Sequence, residues 1–380
     1  MRISLSAFGP IREAEVTFGD LTVFVGPQAT GKSILLQLVK LLLDRRSIHM
    51  EMRRFGLEWG SGVDEFFELY FGEGMSGLRC QGLTTLAMGG KTVDLGSLAR
   101  SRKGRTVGES LFYIPAQRVM SLRDGLTRPF SEYRAGDPFV LRAFSEDLHQ
   151  LVQTDFAKAG GLFPKRNRLN DTLRKPLAEH VFGGFELKTE VAKMQRRIVL
   201  EDDGGTVLPY LVWSAGQREF VPLLLGFYHL LPPAKTPRRD ELEWVVIEEP
   251  EMGLHPQAIT AVLTMVLELR ARGYRVCVSS HSPHVLDLMW ALRFLKENGG
   301  RVADVLRLLG LNRTNVSKRL AQAALGSALG VFYFSRDGWV QDISRLDPGS
   351  DDDTEHGWGG LTAFSSAAGE VVAEVADRNA

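Results

Sequence analysis

The sequence predicts an α/β fold in which strands and helices alternate around a parallel sheet. In the C-terminal half, the apolar segments 244–247 and 274–279 have the length of buried strands, and apolar residues recur every 3.6 positions between them. In the N-terminal half, the apolar run 21–25 is followed by a glycine-rich turn and then by a helical pattern over 34–43. A strand, a tight turn and a helix in this order form a recurring unit of such folds.

The composition is that of a globular protein without a dominant charge. Of the 380 residues, 44% are hydrophobic and 24% are charged, which suits one large or two ordinary domains. The formal net charge is +0, so any contact with nucleic acid has to come from a local basic patch. Two cysteines, Cys80 and Cys277, fit a reducing compartment better than a disulfide framework.

Membrane insertion and secretion are not expected from this sequence. The first five residues alternate like an edge strand and lack the apolar core of a signal peptide. The longest apolar runs, around 34–43 and 221–231, are too short to span a bilayer. We therefore expect a cytoplasmic protein with no membrane partner.

Residues 1–117 are predicted to form the N-terminal part of the core together with a β-rich lobe. Two strands are expected within 1–25, with the polar segment 12–15 between them, and frequent glycines over 45–110 predict short strands joined by turns. The run 111–114 reads as a buried strand that Pro115 ends.

The remaining chain is divided into an insert, a second part of the core and a tail. The insert, 118–212, is expected to hold a helix near 139–157 and an antiparallel pair within 185–212 that turns at 202–205. Residues 213–346 return to the core, and 347–380 form a tail rich in Asp, Gly, Ser and Ala that we expect to be partly disordered. The sequence shows no internal repeat.

Segment 26–33 matches the phosphate-binding pattern G-x-x-x-x-G-K-[ST]. Its glycines let the backbone wrap around a polyphosphate, so that N–H groups at a helix N-terminus point at the anion. Lys32 would bind the β- and γ-phosphates, and the Ser33 hydroxyl would ligate Mg²⁺. The alternative, a glycine-rich turn with an incidental Lys-Ser, is disfavoured by the flanking strand and helix. The predicted nucleotide contacts are Gly26, Gln28, Ala29, Thr30, Gly31, Lys32 and Ser33.

Two adjacent acids follow the predicted strand 244–247. Beside a phosphate loop, a carboxylate at a strand end is suited to hold Mg²⁺, and a neighbouring one to polarise an attacking water. We assign the first role to Glu248 and the second to Glu249. The alternative is a solvated acidic loop, which four preceding apolar residues make less favourable.

A helix is predicted to open at Ser214, followed by Gly216 and Gln217. Ser214 with Gln217 three residues later is a capping box, which explains the pattern structurally. A capped helix start beside a glycine also presents N–H groups and a helix dipole to an anion. Both interpretations hold together if the anion is the γ-phosphate of a nucleotide bound by another subunit.

Two further residues are candidates for contact with the nucleotide. His281 follows the strand 274–279, where its imidazole would hydrogen-bond a γ-phosphate and sense its loss. Gln117 follows the strand 111–114, where its amide would reach Mg²⁺ or the attacking water. The alternatives are a structural histidine and an ordinary turn glutamine.

The order of these motifs resembles that of the ABC-type ATPases, and more closely the soluble branch with the Rad50/SMC-like proteins and the OLD-family ATPases. The resemblance covers most of residues 1–300. It implies an ABC-type ATPase head with a mixed sheet, Mg²⁺-dependent ATP hydrolysis, and two heads that enclose two ATP molecules. It also implies that Ser214 and Gly216 act in trans on the nucleotide bound at Lys32. The Glu-Glu-Pro-Glu and His-Ser-Pro motifs are similar to those of OLD-like and phage-defence ATPases.

Several features depart from the pattern of these families. Glu248 replaces the usual Asp, and 251–256 differs from the usual Ser-Ala-Leu-Asp segment. No heptad coiled coil separates the halves, and too few residues follow His281 for a Toprim nuclease domain. The acidic run 351–353 is interpreted as solvated tail rather than a metal site.

A nucleotide site without a second catalytic centre predicts a switch. ATP would close a homodimer or larger assembly that holds or releases a separate effector, a nuclease or toxin, in antiviral defence. The leading alternative is a DNA-binding repair or chromosome-maintenance ATPase. A transporter subunit and a scaffold that binds ATP without hydrolysis are two further possibilities.

Two other groups of residues are interpreted structurally. A solvated face is preferred over a nucleic-acid contact for the basic clusters Arg45, Arg46, Arg53, Arg54 and Lys165, Arg166, Arg168. A core position is preferred over base stacking for the aromatic residues Trp59, Phe66, Phe67, Tyr70 and Phe71.

Overall fold

A computed structural model describes residues 1–60, 62–100, 108–156, 160–165, 168–192, 194–232, 239, 241–345, 347, 350, 355, 360–362, 367–369 and 371–373. The β-strands in these ranges are β1 Arg2–Phe8, β2 Ile11–Thr17, β3 Leu21–Val25, β4 Thr85–Met88, β5 Lys91–Thr92, β6 Leu111–Ile114, β7 Leu122–Arg123, β8 Leu126–Thr127, β9 Gly160–Phe163, β10 Glu186–Ala192, β11 Gln195–Glu201, β12 Val207–Leu208, β13 Trp244–Glu248, β14 Arg275–Ser279, β15 Leu329–Phe334 and β16 Trp339–Asp342.

The α-helices in the same ranges pack on these strands. They are α1 Lys32–Arg54, α2 Val63–Phe71, α3 Gly96–Ala99, α4 Phe139–Thr154, α5 Asp171–Leu177, α6 Ala215–Leu230, α7 Pro256–Ala271, α8 Pro283–Glu297, α9 Val302–Leu308 and α10 Asn315–Gly326. Among the described residues, no helix combines the length and apolar character that a bilayer-spanning segment needs.

Ten strands form one mixed sheet in the order β5-β4-β1-β2-β16-β15-β3-β14-β13-β6. Strands β15, β3, β14, β13 and β6 run parallel, whereas β1, β2, β4 and β5 pair antiparallel and form the N-terminal β lobe. The predicted α/β fold with a mixed sheet is therefore confirmed.

The parallel strands bring their carboxyl ends to one edge of the sheet. Glu248 at the end of β13 is level with Ser279 at the end of β14, and Ser279 is level with Phe24 of β3. β3 and β13 are buried along their whole lengths because helices cover both faces of the sheet. Loops after β3, β6, β13 and β14 therefore meet at one place, as in other open α/β sheets.

Two apolar cores lie on the two faces of the sheet. Val23 of β3 contacts the core that α4, α6 and α7 complete, and its neighbour Phe24 contacts the core under α1 and α2. Alternating side chains of one strand thus belong to different cores. The aromatic residues of α2 lie in the second core and Phe66, Phe67, Tyr70 and Phe71 are fully buried, as predicted.

The prediction of short strands joined by turns over 45–110 holds for β4 and β5 and is wrong for the helical part of this region. α1 continues to Arg54, past a kink at Asp44 where φ is −115° and ψ is 18°, and α2 follows. Ile48 and Met52 extend the buried stripe of α1, which explains why the helix continues. Only the short strands β4 and β5 appear within the described part of this region.

The insert contains its own sheet, in the order β12-β11-β10-β9. The antiparallel pair was predicted, but its turn was misplaced, since β10 ends at Ala192 and β11 begins at Gln195. The predicted turn at 202–205 instead joins β11 to β12, where Gly205 N–H donates to the Asp202 carbonyl at 3.0 Å. Most of the predicted tail, including 351–353, lies outside the described residues.

Candidate functional site

The phosphate-binding pattern forms a loop between β3 and α1, and two of its glycines cannot be replaced without a clash. Gly26 has φ 130°, and a Cβ there would lie 2.2 Å from the Phe334 carbonyl oxygen. Gly31 has φ 97°, and a Cβ there would lie 2.7 Å from a side-chain carbon of Ile11. Because Gly31 is the N-cap of α1 and has no side chain, the first N–H groups of the helix remain available to an anion.

The other loop residues divide into exposed and buried positions. Gln28 and Ala29 are exposed, whereas Thr30 is buried and donates to the Pro27 carbonyl at 2.9 Å. Ala29 has φ 62°, so the loop contains a further left-handed residue. Exposed residues at the rim and N–H groups behind them match the contacts that a bound polyphosphate requires.

Lys32 is buried inside the loop. Its Nζ donates to the carbonyl oxygens of Gly26 at 2.8 Å and Pro27 at 2.6 Å. Burial lowers the pKa of this amine to about 8, against an opposing contribution from Glu249 and Glu248. A polyphosphate bound in the loop would provide the negative charge that this buried cation lacks.

Glu248 is fully buried at the end of β13, 1% exposed. Its Oε2 accepts a hydrogen bond from the Ala116 N–H at 3.1 Å, while Oε1 is buried without a partner among the described residues. Burial raises the pKa of this carboxyl, although Ser33, Ala116 and Tyr113 lie near enough to oppose the change.

An unpartnered carboxylate oxygen beside the Ser33 hydroxyl fits a divalent cation. Mg²⁺ is usually held by one or two protein oxygens together with phosphate oxygens and waters. Within the described ranges, no three His, Cys, Asp or Glu side chains form a metal-binding group, so a cage made wholly of such side chains is not seen there. Ser33 and Glu248 would hold the cation together with a phosphate.

Glu249 adopts a left-handed backbone conformation, with φ 44°. Its N–H donates to the Ser279 carbonyl at 2.9 Å, and its Oε1 lies 3.5 Å from Nε2 of His281. The interaction with His281 lowers the pKa of this carboxyl, burial opposes the change, and Lys32 and Arg118 lower it further. Glu249 is therefore ionised at neutral pH, and its side chain is half-buried.

His281 lies at the end of β14, in a turn that Glu251 holds in place. Oε1 of Glu251 accepts hydrogen bonds from the Ser280 hydroxyl and from the His281 N–H, both at 2.8 Å. Sequence reasoning gave Glu251 no role, although it is the third acid of the Glu-Glu-Pro-Glu motif. The third acidic residue of this motif was the feature of the sequence that could have indicated a role for Glu251.

Gln117 lies in a short 3₁₀ helix, Ala116–Ser121, directly after β6. Its side chain is exposed, and the N–H of the preceding Ala116 bonds to Glu248. The structure thus brings Gln117 to the same edge of the sheet as the loop 26–33 and the two acids.

Ser214 and Gln217 form the predicted capping box at the start of α6. Gln217 N–H donates to the Ser214 hydroxyl oxygen at 3.2 Å, and Ser214 N–H donates to Oε1 of Gln217 at 3.0 Å. A Cβ on Gly216 would lie 2.7 Å from the Gly253 carbonyl oxygen, so α6 packs tightly on the turn after the acids. Ser214 itself is exposed, where a second chain has access to it.

Arg118 is a site residue that sequence reasoning missed. Its side chain is fully buried, and it donates to the main-chain carbonyl oxygens of Glu219, Glu248 and Glu249 at 3.1, 2.8 and 3.0 Å. In the sequence, an arginine in a Pro-Ala-Gln-Arg turn looks like a surface residue. Only the tertiary structure brings the three carbonyl groups together around it.

The predicted basic faces are only partly solvated. Arg168 is buried and pairs with Asp155 at 2.7 Å, which contradicts the solvated face predicted for that cluster. Arg166 of the same cluster lies outside the described residues. In the first cluster, Arg54 is exposed and lies 3.6 Å from Glu51.

Comparison with known proteins agrees with a nucleotide-dependent site. Residues 140–287 match a family model described as "AAA domain, putative AbiEii toxin, Type IV TA system". None of the curated protein sequences compared with this chain is similar to it. Together with the fold and the loop geometry, the family match supports an ABC-like P-loop ATPase.

The solved structures to which this chain is similar include SMC head domains and an ABC transporter cassette. An SMC head domain from Thermotoga maritima is 16% identical with a TM-score of 0.32, covering 75% of this chain and 90% of that chain. An SMC head bound to the C-terminal winged-helix domain of ScpA is 10% identical with a TM-score of 0.41, covering 90% and 96%. A dimeric bacterial ABC transporter cassette is 11% identical with a TM-score of 0.35, covering 90% and 98%. These values are too low to carry an argument about function.

Proposed function

We propose that this protein is a Mg²⁺-dependent ATPase whose complete site is formed by two copies of the chain. The observation that carries the proposal is the meeting of the loop 26–33, Glu248, Glu249 and His281 at one edge of the sheet. The buried Lys32 amine, the unpartnered Glu248 oxygen and the ionised Glu249 would supply the phosphate-binding cation, the metal ligand and the base that phosphoryl transfer to water uses.

The chain's own residues have distinct tasks in the reaction ATP + H₂O → ADP + phosphate. Lys32 and the loop N–H groups bind the β- and γ-phosphates, and Glu249 orients a water and accepts its proton during attack on the γ-phosphorus. His281, 3.5 Å from Glu249, donates a hydrogen bond to the γ-phosphate. Mg²⁺ held by Ser33 and Glu248 would neutralise charge on the phosphate oxygens.

Glu249→Gln tests the enzyme. A neutral amide does not accept the proton, so we expect hydrolysis to fall by about 10²–10⁴-fold while ATP binding is retained. Glu297→Gln on α8 is a matched control, because that carboxylate is exposed and pairs with Arg293 at 2.9 Å. Hydrolysis by Glu249→Gln at the wild-type rate would rule out Glu249 as the base.

The composite site is supported by the exposure of Ser214 and Ala215 at the start of α6. In this arrangement, the N–H groups of α6 in one chain complete the nucleotide site at Lys32 of the other, and Gln117 contacts Mg²⁺ or the water. Glu249→Gln with ATP and Mg²⁺ should form a dimer by light scattering, and the same variant with ADP should not. A monomer under both conditions would contradict the composite site.

We further propose that ATP-driven assembly controls a separate effector, a nuclease or toxin, in antiviral defence. The matched family description names a putative toxin of a type IV toxin–antitoxin system, which supports a link to toxin systems. Co-expression with the neighbouring open reading frames tests it, since the effector should copurify in a nucleotide-dependent manner. Direct action on DNA is less well supported, because Arg168 of one basic cluster is buried in an ion pair.

A further inference from the structure

Arg118 connects three segments that the proposed reaction uses. Its guanidinium donates to the carbonyl oxygens of Glu219 in α6, of Glu248 at the end of β13 and of Glu249 after it. It also lies 3.5 Å from the carbonyl oxygen of Pro115, which follows β6. A planar fork with five N–H donors can reach several carbonyl groups at fixed angles, which an ammonium group on a flexible stem does not do.

Glu249 depends on this contact because its backbone is strained. A non-glycine residue with a left-handed φ is strained and persists only where its surroundings fix it. Here both main-chain polar groups are held. The N–H donates to the Ser279 carbonyl at 2.9 Å, and the carbonyl accepts from Arg118 at 3.0 Å and from the Met252 N–H at 3.1 Å. Arg118 is the side chain among these partners, so the direction of the Glu249 side chain depends in part on its bond.

The same guanidinium reaches the first turns of α6. Its Nε donates to the Glu219 carbonyl, and Nη2 lies 3.9 Å from the Glu219 carboxylate. Glu219 is five positions after Ser214, the exposed N-cap of this helix. A shift of α6 at its N-terminus therefore acts directly on the group that holds Glu249.

We propose that Arg118 is a positioning residue that couples the N-terminus of α6 to the general base Glu249. When α6 engages the nucleotide of a second chain, Arg118 holds Glu249 in the geometry that activates water in its own chain. This inference rests on the proposed ATPase and goes beyond it, because it makes hydrolysis at one nucleotide depend on the contact made at the other.

Arg118→Lys is the direct test. A lysine keeps the positive charge but cannot bond to all three carbonyl groups at once. Glu249 would then be misplaced, and misplacement of a catalytic group by about 1 Å costs on the order of 10²-fold in rate. We expect kcat for ATP to fall about 10–100-fold, while KM and the affinity for labelled ATP change less than about threefold. Lys32 and the loop N–H groups, which bind the phosphates, are untouched.

Arg142→Lys is the matched control for the loss of a buried arginine. Arg142 is also fully buried, donates to the Leu69 carbonyl at 2.7 Å and lies over the Phe130 ring, away from the loop 26–33. We expect this variant to lose comparable thermal stability with unchanged kcat per folded molecule. Equal kcat values for the two variants would overturn the positioning role.

A double-mutant cycle with Ser214→Ala tests the coupling itself. If Arg118 transmits the contact made by α6, the two substitutions should be non-additive in kcat, and the double variant should be about as slow as Arg118→Lys alone. Additive effects would overturn the coupling. A different result would contradict the ATPase proposal itself, namely equal rates of ATP hydrolysis by Glu249→Gln and the wild type.

Discussion

Gly26 sets the shape of the nucleotide loop through a contact with a distant strand. Its left-handed φ of 130° and the closeness of the Phe334 carbonyl oxygen both exclude a side chain. We predict that Gly26→Ala loses ATP binding and at least about 2 kcal/mol of stability, because strain and a backbone clash add. Nucleotide titration and urea denaturation measure the two effects.

Gly82→Ala is the control for Gly26→Ala. Gly82 has φ 77°, but nothing lies within 4 Å of an added Cβ. Only the backbone strain of about 1–2 kcal/mol should remain, and ATP binding should be unchanged. Equal behaviour of the two variants would show that the Phe334 contact does not shape the loop.

Replacing Glu248 should impair the Mg²⁺ dependence of hydrolysis without lowering the stability of the fold. Its carboxylate is buried with one unpartnered oxygen, and burial raises its pKa. We predict that Glu248→Gln melts no lower than the wild type without nucleotide, because an amide avoids the cost of a buried charge. The Mg²⁺ concentration for half-maximal hydrolysis should rise at least about tenfold, since an amide oxygen is a weaker ligand. A lower melting temperature with unchanged Mg²⁺ dependence would contradict this account.

The candidate site residues that could be predicted from the sequence are those that lie in local motifs. Lys32, Glu249 and His281 each follow an apolar strand in a recognisable motif. Arg118 acts by bonding to groups far away in the chain, and no local pattern marks it. Glu251 is marked as the third acid of its motif, but its bond to Ser280 is not. Their partners are set only when β6, β13 and β14 align.

At the start of α6, the role of Ser214 as N-cap can be tested separately from its proposed contact with a nucleotide. Aspartate is as good an N-cap as serine, but it places a negative charge where a partner's γ-phosphate would bind. We predict that Ser214→Asp keeps the stability of the wild type and loses ATP hydrolysis. Thermal melting and a phosphate-release assay measure the two properties.

Thr314→Asp is the control at another helix. Thr314 caps α10 through the Ser317 N–H at 3.1 Å, in the same kind of box. Both stability and hydrolysis should be retained in this variant. Normal hydrolysis by Ser214→Asp would show that α6 does not approach a nucleotide.

Strands and helices could be predicted where the spacing of their apolar residues and the residues at their ends indicated the same element. The loop, β13, α7 and β14 belong to this group. The region 45–110 was misjudged because frequent glycines suggested turns, whereas the buried stripe of α1 continues past the kink at Asp44. β15 and β16 were not predicted, although the apolar run 329–334 followed by the Asp-Gly pair at 337–338 is a local hairpin signal. Their places beside β3 and β2 depend on long-range pairing and have no such signal.

Global stability should depend on pH through the buried His49. Burial lowers the pKa of this imidazole to about 4, so it is neutral in the folded state. The unfolded chain binds a proton below pH 6.5, so stability present above this pH is lost as the pH falls towards 4. We predict a loss of about 1–2 kcal/mol between pH 7 and pH 5 that His49→Gln lacks. Urea denaturation at both pH values measures it, and an identical pH dependence in the variant would contradict it.

The order of strands in the main sheet also has a consequence for protein synthesis. β15 and β16 lie between β2 and β3, and the Ala328 N–H bonds to Asp20, 308 positions earlier. Until residues 329–342 have left the ribosome, β3 lacks one of its two neighbouring strands, and Gly26 lacks the Phe334 carbonyl group against which it packs. A growing chain is therefore unable to complete its phosphate-binding loop until β15 has been translated, which delays the proposed nucleotide-driven assembly until that point.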